Sequence, residues 1–453
     1  EAVLLSSVTT PAPTPTPTAA VAISAAQITA PAAPQNGGGY ETLFGAMAQK
    51  SGTLYLLIPG GEGESREFRQ EQAFASRWAQ SSSGLTLRDA WPIFTEMRLR
   101  KSPSELQLLQ HAVDITTEAL GRAMAVAARS KWEYEVEAEV DYTFKRRHAD
   151  NWGYPSIVGC GPNATTLHYV ESQGEVGKND LLLMDVGAEY DHYTADVTRT
   201  FPVDGKFSKE QAEIYQIVYD AQEAVAKVTK PNAKMSDIEK ASAETVKQGL
   251  AKLGLITAPE ATFQATFNGQ TMNVPQYRIW FMHGNSHWLG MNVHDVGSYQ
   301  APLKAGMVFT NEPGIYLRED ALNYLADTPA NKEFLAKVRP VFEKYKNIGV
   351  RIEDDMLVTE TGVEWMSKNL PRKLEEIEAF MARASKELNY SALEREISPT
   401  LAMFDGGTPP ENQFGFLDSL GFPSGKTARS GWILTGRETA NSGLNHAGHS
   451  HGE

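Results

Sequence analysis

The chain has 453 residues, of which 41% are hydrophobic and 22% charged, a balance that supports at least one full core and rules out a wholly disordered protein. Its 42 Lys and Arg against 56 Asp and Glu give a formal net charge of −14, which repels phosphate backbones and excludes nucleic acid as an expected partner. No apolar run approaches the ~20 residues of a membrane span, and a single cysteine, Cys160, allows neither an internal disulfide nor a zinc-thiolate centre, so any metal has to be held by His and carboxylates.

Residues 1–39 are rich in Pro, Thr, Ala and Gly, with PAPTPTPT at 11–18, a composition that favours extended chain and reads as a linker. Residues 40–96 hold one strand, TLYLLIP at 53–59, and an amphipathic helix after Arg66, a short, modestly apolar unit. At Ser102-Pro103-Ser104-Glu105 a capping box with Pro at the first helical position opens a helix, with Leu106, Leu109, Val113, Leu120 and Met124 on one face. A second helix carries Val136, Val140 and Phe144 at i, i+4 spacing, and three strand-like runs follow: TTLHYV at 165–170, LLLMDVGAEY at 181–190 and a run through Phe201. The order then repeats. Ser208 and Gln211 form a capping box for a helix with Ile214, Ile217, Val218, Ala221 and Val225; Ser236 and Glu239 open the next, which stops at Gly254; strand-rich sequence resumes near Arg278 and runs to Thr359. Two helix-helix-sheet units in series imply an α+β fold of duplicated halves about a pseudo-two-fold axis, with a site between them drawing on both. Residues 383–453 carry few periodic apolar positions and end in NHAGHSHGE; His446, His449 and His451 read as a solvated tail rather than an ion site.

Four constellations carry chemistry. Asp185 ends a strongly apolar strand, where an ionised carboxylate requires a cation or strong donors, and a hairpin through Gly187, Tyr190, Asp191 and His192 brings Asp196 back beside it. The pair reads either as a shared metal site or as turn caps and partners of Arg199. FMHGNSHWLGMNVHDVG gathers His283, His287 and His294 in an apolar segment, suited to metal ligation or to donation toward developing charge. VFTNEPGIY supplies Glu312, and GVRIEDDMLVTE supplies Arg351 and Glu353; alternation puts Glu353 on the face of Arg351 and Asp355, opposite Ile352, although the acidic triplet also fits a surface charge run. Four carboxylates and one imidazole balance two divalent cations. Oxygen-rich ligation of this kind suits Mn²⁺, Co²⁺ or Zn²⁺ and hydrolytic chemistry.

These residues, together with EMRLRKSP at 96–103, TLHY and DVTRTFPVDGKFS at 196–208, resemble the pita-bread metallopeptidases, the family of methionine aminopeptidase, prolidase and aminopeptidase P, and most closely the Xaa-Pro aminopeptidase branch. The resemblance runs from about Glu96 to about Met381. It implies a catalytic pita-bread domain over 97–382 and metal ligands Asp185, Asp196, His287, Glu312 and Glu353. Asp196 and Glu353 would bridge two ions, Asp185 would hold one, and His287 with Glu312 the other. It further implies that His294 donates to the oxyanion, that His283 contacts the peptide beside the scissile bond, and that His168 walls the proline pocket. Glu312 would pass a proton to the leaving nitrogen, and Tyr316 and Arg351 would lie near the substrate mouth. The implied activity is release of the N-terminal residue from peptides with proline second, by a metal-bridging hydroxide. Manganese is the first expectation for the two ions, with cobalt or zinc as alternatives.

The chain departs from that pattern in three places. The family carries a larger domain before the catalytic one, so residues 40–96 read as a shortened remnant, which leaves substrate length limit and homo-oligomer formation open. Leu317–Lys344 reads as a loop inserted near the active-site mouth, and the His-bearing tail 383–453 has no counterpart. The alternatives in function are a prolidase-type Xaa-Pro dipeptidase and a metal-free binding module of the same fold. Both a cytoplasmic and an exported location fit the sequence.

Overall fold

The computed structural model describes residues 52–58, 69–79, 85–267 and 270–387, all within one compact unit, Glu1–Ser398. The linker-like residues 1–39 and His446, His449 and His451 lie outside the described residues. Before the duplicated region, β1 (Gly52–Leu56), α1 (Arg69–Ala79) and β2 (Leu85–Asp89) make a parallel strand pair joined through a helix, and α2 (Trp91–Leu99) leads out of it.

The first half opens with α3 (Pro103–Val126). Ser102 Oγ accepts from the Glu105 N–H at 3.3 Å while the Glu105 carboxylate accepts from the Ser102 N–H at 2.7 Å, so the reciprocal cap read from the sequence is the cap observed. Leu109, Val113, Leu120 and Met124 are all buried, each contributing roughly 1.5–3 kcal/mol by leaving water. α4 (Glu133–Arg146) follows, with Val136, Val140 and Phe144 buried. The strands are β3 (Asn151–Trp152), β4 (Ile157–Cys160), β5 (Leu181–Val186), β6 (Ala188–Tyr190), β7 (Tyr193–Thr194) and β8 (Val197–Pro202). They form two three-stranded sheets, β4-β5-β8 and β3-β6-β7.

The second half repeats the order with α5 (Lys209–Val228) and α6 (Met235–Leu253). Ser208 and Gln211 cap α5 as the sequence predicts. α6 begins earlier than predicted: Asp237 receives the Lys234 N–H at 2.9 Å, Ser236 lies inside the first turn, and Glu239 serves another contact altogether. The helix is pulled back by Met235, which is buried in the core around Trp288 and Phe309. Then come the hairpin β9 (Thr262–Phe267) with β10 (Gln270–Pro275), β11 (Val308–Asn311), β12 (Gly314–Tyr316), α7 (Pro329–Phe342), β13 (Gly349–Arg351), β14 (Asp354–Val358), β15 (Val363–Trp365) and α8 (Leu374–Glu387).

Three sequence expectations are corrected here. TTLHYV is not a strand: Gly161–Thr165 is a 3₁₀ turn and the residues after it run irregularly along the cavity wall, while the strand of that region is β4, immediately before. The stretch from Arg278 to Val308 contains little strand, and an unpredicted hairpin precedes it. Leu317–Lys344 is not a mouth loop. It contains α7, whose Phe334, Val338 and Phe342 are buried, with Phe342 stacked on Trp280 at 5.3 Å between ring centroids. The Asn331 side chain closes the edge of β9, accepting from Gln264 N–H and donating to Gln264 O, both at 2.8 Å. A carboxamide thus stands in for a neighbouring strand, covering backbone groups that an edge leaves unpaired.

The halves are stitched in several places, one of them beside the chemistry-bearing residues. Thr198 N–H and Glu353 N–H each donate to the other residue's carbonyl, at 3.3 and 3.1 Å, and Thr200 Oγ1 exchanges hydrogen bonds with the Arg351 backbone. β8 of the first half therefore meets the β13–β14 junction of the second, and the chemistry-bearing side chains gather on either side of that seam.

Candidate metal centre and its cavity

Asp185 lies on β5 directly opposite Thr198 of β8, and the connection between them is a tight hairpin. Asp191 and His192 both take positive φ, 47° and 72°, which matches the twist of β6 and β7. Gly187 makes the return fit, because a Cβ there would fall 1.9 Å from the Ala195 carbonyl. The chain thereby brings Asp196 back beside Asp185. One phenol marks their closeness: Tyr154 Oη lies 2.5 Å from Asp185 Oδ1 and 2.5 Å from Asp196 Oδ1. Arg199 does not neutralise the pair; it binds Asp354 at 2.6 Å and the Glu353 and Thr198 carbonyls.

From the second half, His287 Nε2 stands 3.3 Å from Asp196 Oδ2 and 3.4 Å from Glu312 Oε1, while its Nδ1 lies 3.1 Å from the Trp288 carbonyl. That carbonyl accepts the Nδ1–H and leaves Nε2 facing two carboxylates, the orientation of a metal-binding imidazole with its outer hydrogen bond in place. Thr310 Oγ1 donates to Glu312 at 3.2 Å, and Thr198 Oγ1 donates to Glu353 at 2.7 Å. Ligand atoms of Asp196, His287 and Glu353 lie within 4.8 Å of one another. Glu353, Asp354 and Asp355 are all essentially buried, so the acidic triplet is not a surface charge run. Asp355 accepts the Asp196 N–H at 3.1 Å.

Burial first, then crowding of like charge, sets the electrostatics. Burial and the neighbouring carboxylates push Glu353 well above the usual carboxylate range; burial, then Asp185, raise Asp196; and burial, with Asp196 opposing His287, brings Glu312 up to about 7. Burial works against protonation of His287, yet Asp196 and Glu312 push it up to about 9. Buried acids sharing protons and a histidine gaining one describe a site short of positive charge. Hard oxygen donors with one imidazole are the donor set for divalent cations such as Mn²⁺, Co²⁺ or Zn²⁺, and N···O separations of 3.3–3.4 Å are about what two ligands of one ion keep at ~2.1 Å bond lengths. The residues present therefore fit the metal.

All five of these side chains line one cavity of about 550 Å³, together with His168, His283, His294, Arg351 and Tyr154 and the apolar Pro155, Ile157, Leu167, Val170 and Val293. The His294 ring meets that of His287 edge-on, 4.4 Å between centroids, and burial followed by the His287 charge lowers its pKa. Tyr316 does not line the cavity; it is fully buried behind the wall, where its Oη accepts from Arg351 Nη1 at 2.8 Å and lies 2.8 Å from His283 Nε2. Arg351 also binds Asp185 at 2.5 Å. Because Arg351 fills the acceptor side of the phenol, the Tyr316 proton goes to His283 Nε2. His283 then keeps its own proton on Nδ1, donated to the Gly284 carbonyl at 2.7 Å. Burial and Arg351 hold this imidazole neutral, its pKa lowered to about 3.

Sequence reasoning did not single out Tyr154, Thr198 or Thr310, whose partners come from distant segments, or the true work of Glu239, which accepts the Asn285 N–H at 2.6 Å and pins the loop between His283 and His287. Only for Tyr154 is there a local hint, an aromatic residue between Gly153 and Pro155 in a polar loop.

Comparison with known proteins places the geometry. The sequence profile described as metallopeptidase family M24 matches residues 107–360, more than half the chain. An Xaa-Pro aminopeptidase of Escherichia coli K12 is 39% identical over 306 residues, 67% of this chain and 64% of that protein. One from Haemophilus influenzae is 40% identical over 297 residues, 64% of this chain and 62% of that protein. The chain thus spans a little under two thirds of the length of these relatives. Among solved structures, Pseudomonas aeruginosa aminopeptidase PepP is similar at TM-score 0.61 and 31% identity, covering 77% of this chain and 74% of that one. E. coli aminopeptidase P with the inhibitor Pro-Leu is similar at TM-score 0.59 and 35% identity, covering 74% and 72%. The α+β pita-bread architecture that the resemblance implied is the one observed, and the chain belongs to metallopeptidase family M24.

Proposed function

We propose that the chain is a dinuclear-metal hydrolase that releases the N-terminal residue from peptides with proline in second position. The observation that carries this reading is the convergence of Asp185, Asp196, His287, Glu312 and Glu353 on one cavity that also holds His168, His283, His294 and Arg351. In this reading Asp196 and Glu353 would be shared between two ions, with Asp185 holding one and His287 with Glu312 the other, and Mn²⁺ would be the first choice. Bound divalent ions supply the Lewis acidity that activates water at neutral pH and polarises the scissile carbonyl.

The chain's own groups do the rest. His294, kept neutral at the cavity wall, donates an N–H to the oxyanion as the carbonyl becomes tetrahedral. Glu312, which lines the cavity beside His287, would take a proton from water and pass it to the departing proline nitrogen. His283 presents a fixed tautomer beside the scissile bond, held by Tyr316 and Arg351. An amide nitrogen before proline has no hydrogen to read, so selection falls to the fit of the pyrrolidine ring against His168 and apolar walls such as Val293 and Leu167.

The test is turnover of Xaa-Pro-Xaa tripeptides and Xaa-Pro dipeptides by metal-stripped protein supplied in turn with Mn²⁺, Co²⁺ and Zn²⁺. Cleavage of the tripeptide between Xaa and Pro supports the reading. Cleavage of the dipeptide alone assigns a prolidase-type activity instead, and full turnover in chelator removes the metal from the mechanism.

A further inference from the structure

His294 sits on a loop whose base is held from outside the duplicated fold. The loop leaves β-like pairing at Leu289, whose N–H donates to the Val308 carbonyl at 3.1 Å, and closes where the Asp295 N–H donates to the Trp288 carbonyl at 2.8 Å. The Asp295 carboxylate, one residue past His294, is almost completely buried. Its Oδ1 accepts from Val296 N–H at 2.9 Å and from Arg98 Nη2 at 2.5 Å; the same Arg98 nitrogen donates to Asn292 Oδ1 at 2.6 Å across the loop. Its Oδ2 faces the Lys101 ammonium at 3.7 Å, and the Lys101 side chain is only 2% exposed. Arg98 and Lys101 both precede the residues matched by the family profile.

The arrangement is hard to explain by stability. Two cations share one carboxylate, and Arg98 Nε, Lys101 Nζ and Asp295 Oδ2 are buried without a hydrogen-bond partner. Burying an ammonium this way costs several kcal/mol that an apolar side chain would avoid. Room is kept for it nonetheless: a Cβ at Gly290 would fall 2.2 Å from Asp295 Oδ2 and 2.9 Å from Lys101 Cε. The segment carrying the cations is itself fixed, Lys101 N–H donating to the Gly306 carbonyl at 2.8 Å and Arg100 Nε to the Ala305 carbonyl at 3.1 Å. A charged pair held by a rigid support, at the foot of a six-residue excursion, fixes direction rather than adding stability.

We propose that Lys101, acting with Arg98 on Asp295, is a positioning residue that sets the place of the His294 ring at the cavity wall. Its importance for catalysis rests on the reading above, in which His294 meets the substrate. The groups facing Lys101 are Asp295 and Glu105, Arg98 beside it, and Tyr193, which donates to Glu105 at 2.8 Å. Burial, opposed by Asp295 and Glu105 and reinforced by Arg98, lowers the Lys101 amine from 10.5 to about 8. The clamp therefore holds two cations below pH 8 and one above it. Lys101→Arg, whose guanidinium keeps its charge across that range, separates a change that reports the clamp from any titration of the ring itself.

The test follows the His294 ring N–H signals by NMR in zinc-loaded, histidine-labelled protein, assigned with His294→Gln, alongside kcat and KM on an Xaa-Pro-Xaa peptide. In the wild type the ring signal is expected to shift with a midpoint near pH 8. Lys101→Arg, which stays charged, is expected to abolish that shift and keep kcat at pH 7 within about threefold. Lys101→Met is expected to show the displaced signal already at pH 7, with kcat lowered on the order of 10- to 100-fold at little change in KM or zinc content, since misplacement of about 1 Å costs that much. A Lys101→Arg protein whose signal moves with pH as the wild type's does overturns the proposal, as does a Lys101→Met protein with an unmoved signal. Should Lys101→Met fail to fold, the wild type and Lys101→Arg still decide. Absence of peptide turnover in the wild type would defeat the functional reading alone, the ring signal still judging the clamp.

Discussion

The two halves share an order of elements and differ in what they bring to the cavity. The first contributes Asp185 from β5 and Asp196 from the residue before the adjacent antiparallel β8, braced by one phenol. The second contributes Glu312 from just past β11 and Glu353 from the β13–β14 junction, each braced by a threonine hydroxyl, and adds a histidine-bearing loop, His283 to His294, with no equivalent in the first. Duplication explains a symmetric carboxylate cage at the seam. In the proposed reaction the asymmetric loop decides what such a cage does, because it brings His294, the group assigned to donate to developing charge.

That comparison breaks if the halves are not equal partners in metal binding. Asp196→Ala and Glu353→Ala, one from each half, should both drop metal content below one ion per chain and turnover by at least about 10³-fold, because each removes a carboxylate assigned to both ions. Elemental analysis of the purified variants checks it; two retained ions in either would end the cage model. The asymmetric loop is isolated by His294→Ala, which should lower kcat about 10²- to 10³-fold, as loss of an oxyanion donor does, with metal content intact by the same analysis. Tyr154→Phe sharpens the first half's part: losing the hydroxyl between Asp185 and Asp196 should weaken metal affinity on the order of 10- to 100-fold, read by competition with a chelating dye.

The smallest effect concerns pH. Glu312 is raised to about 7 and His287 to about 9 in the ion-free cluster, so the folded state holds more protons than the unfolded one. The stability these groups contribute is present at low pH. It is lost as pH rises from the ordinary carboxylate range through about 7 for Glu312, and from about 6.5 through about 9 for His287. Metal-stripped protein should therefore lose stability progressively between pH 5 and pH 9, on the order of 3 kcal/mol from Glu312 alone, with a falling melting temperature, and metal should restore more the higher the pH. Calorimetry of stripped and loaded protein checks this; a gap that narrows with pH contradicts the charge assignment.

Local signals were legible where their physics is local. The Ser102 and Ser208 boxes each close within one helical turn, and the type of hairpin that returns Asp196 needs only Asp191 and His192 to accept positive φ. The misreadings have a common cause, a distant partner outcompeting a local one. Glu239 resembles a cap residue for Ser236, yet it serves Asn285, 46 residues away. TLHY has strand composition but finds no ladder, since β4 already occupies the edge of β5. Leu317–Lys344 reads as a loop until Trp280 and β9 give its apolar positions something to pack on.

The sequence by itself determined the duplicated order of elements, the ends of the helices with closed capping boxes and the supply of carboxylates and imidazoles, because propensity, capping and periodicity act over a few residues. Only the tertiary structure decided which charges meet. Arg199 went to Asp354 and not to Asp185, Tyr316 behind the wall, and Lys101 beneath the His294 loop. Pairing energies depend on separations of a few ångströms between residues from 33 to 194 positions apart, and no local pattern encodes those.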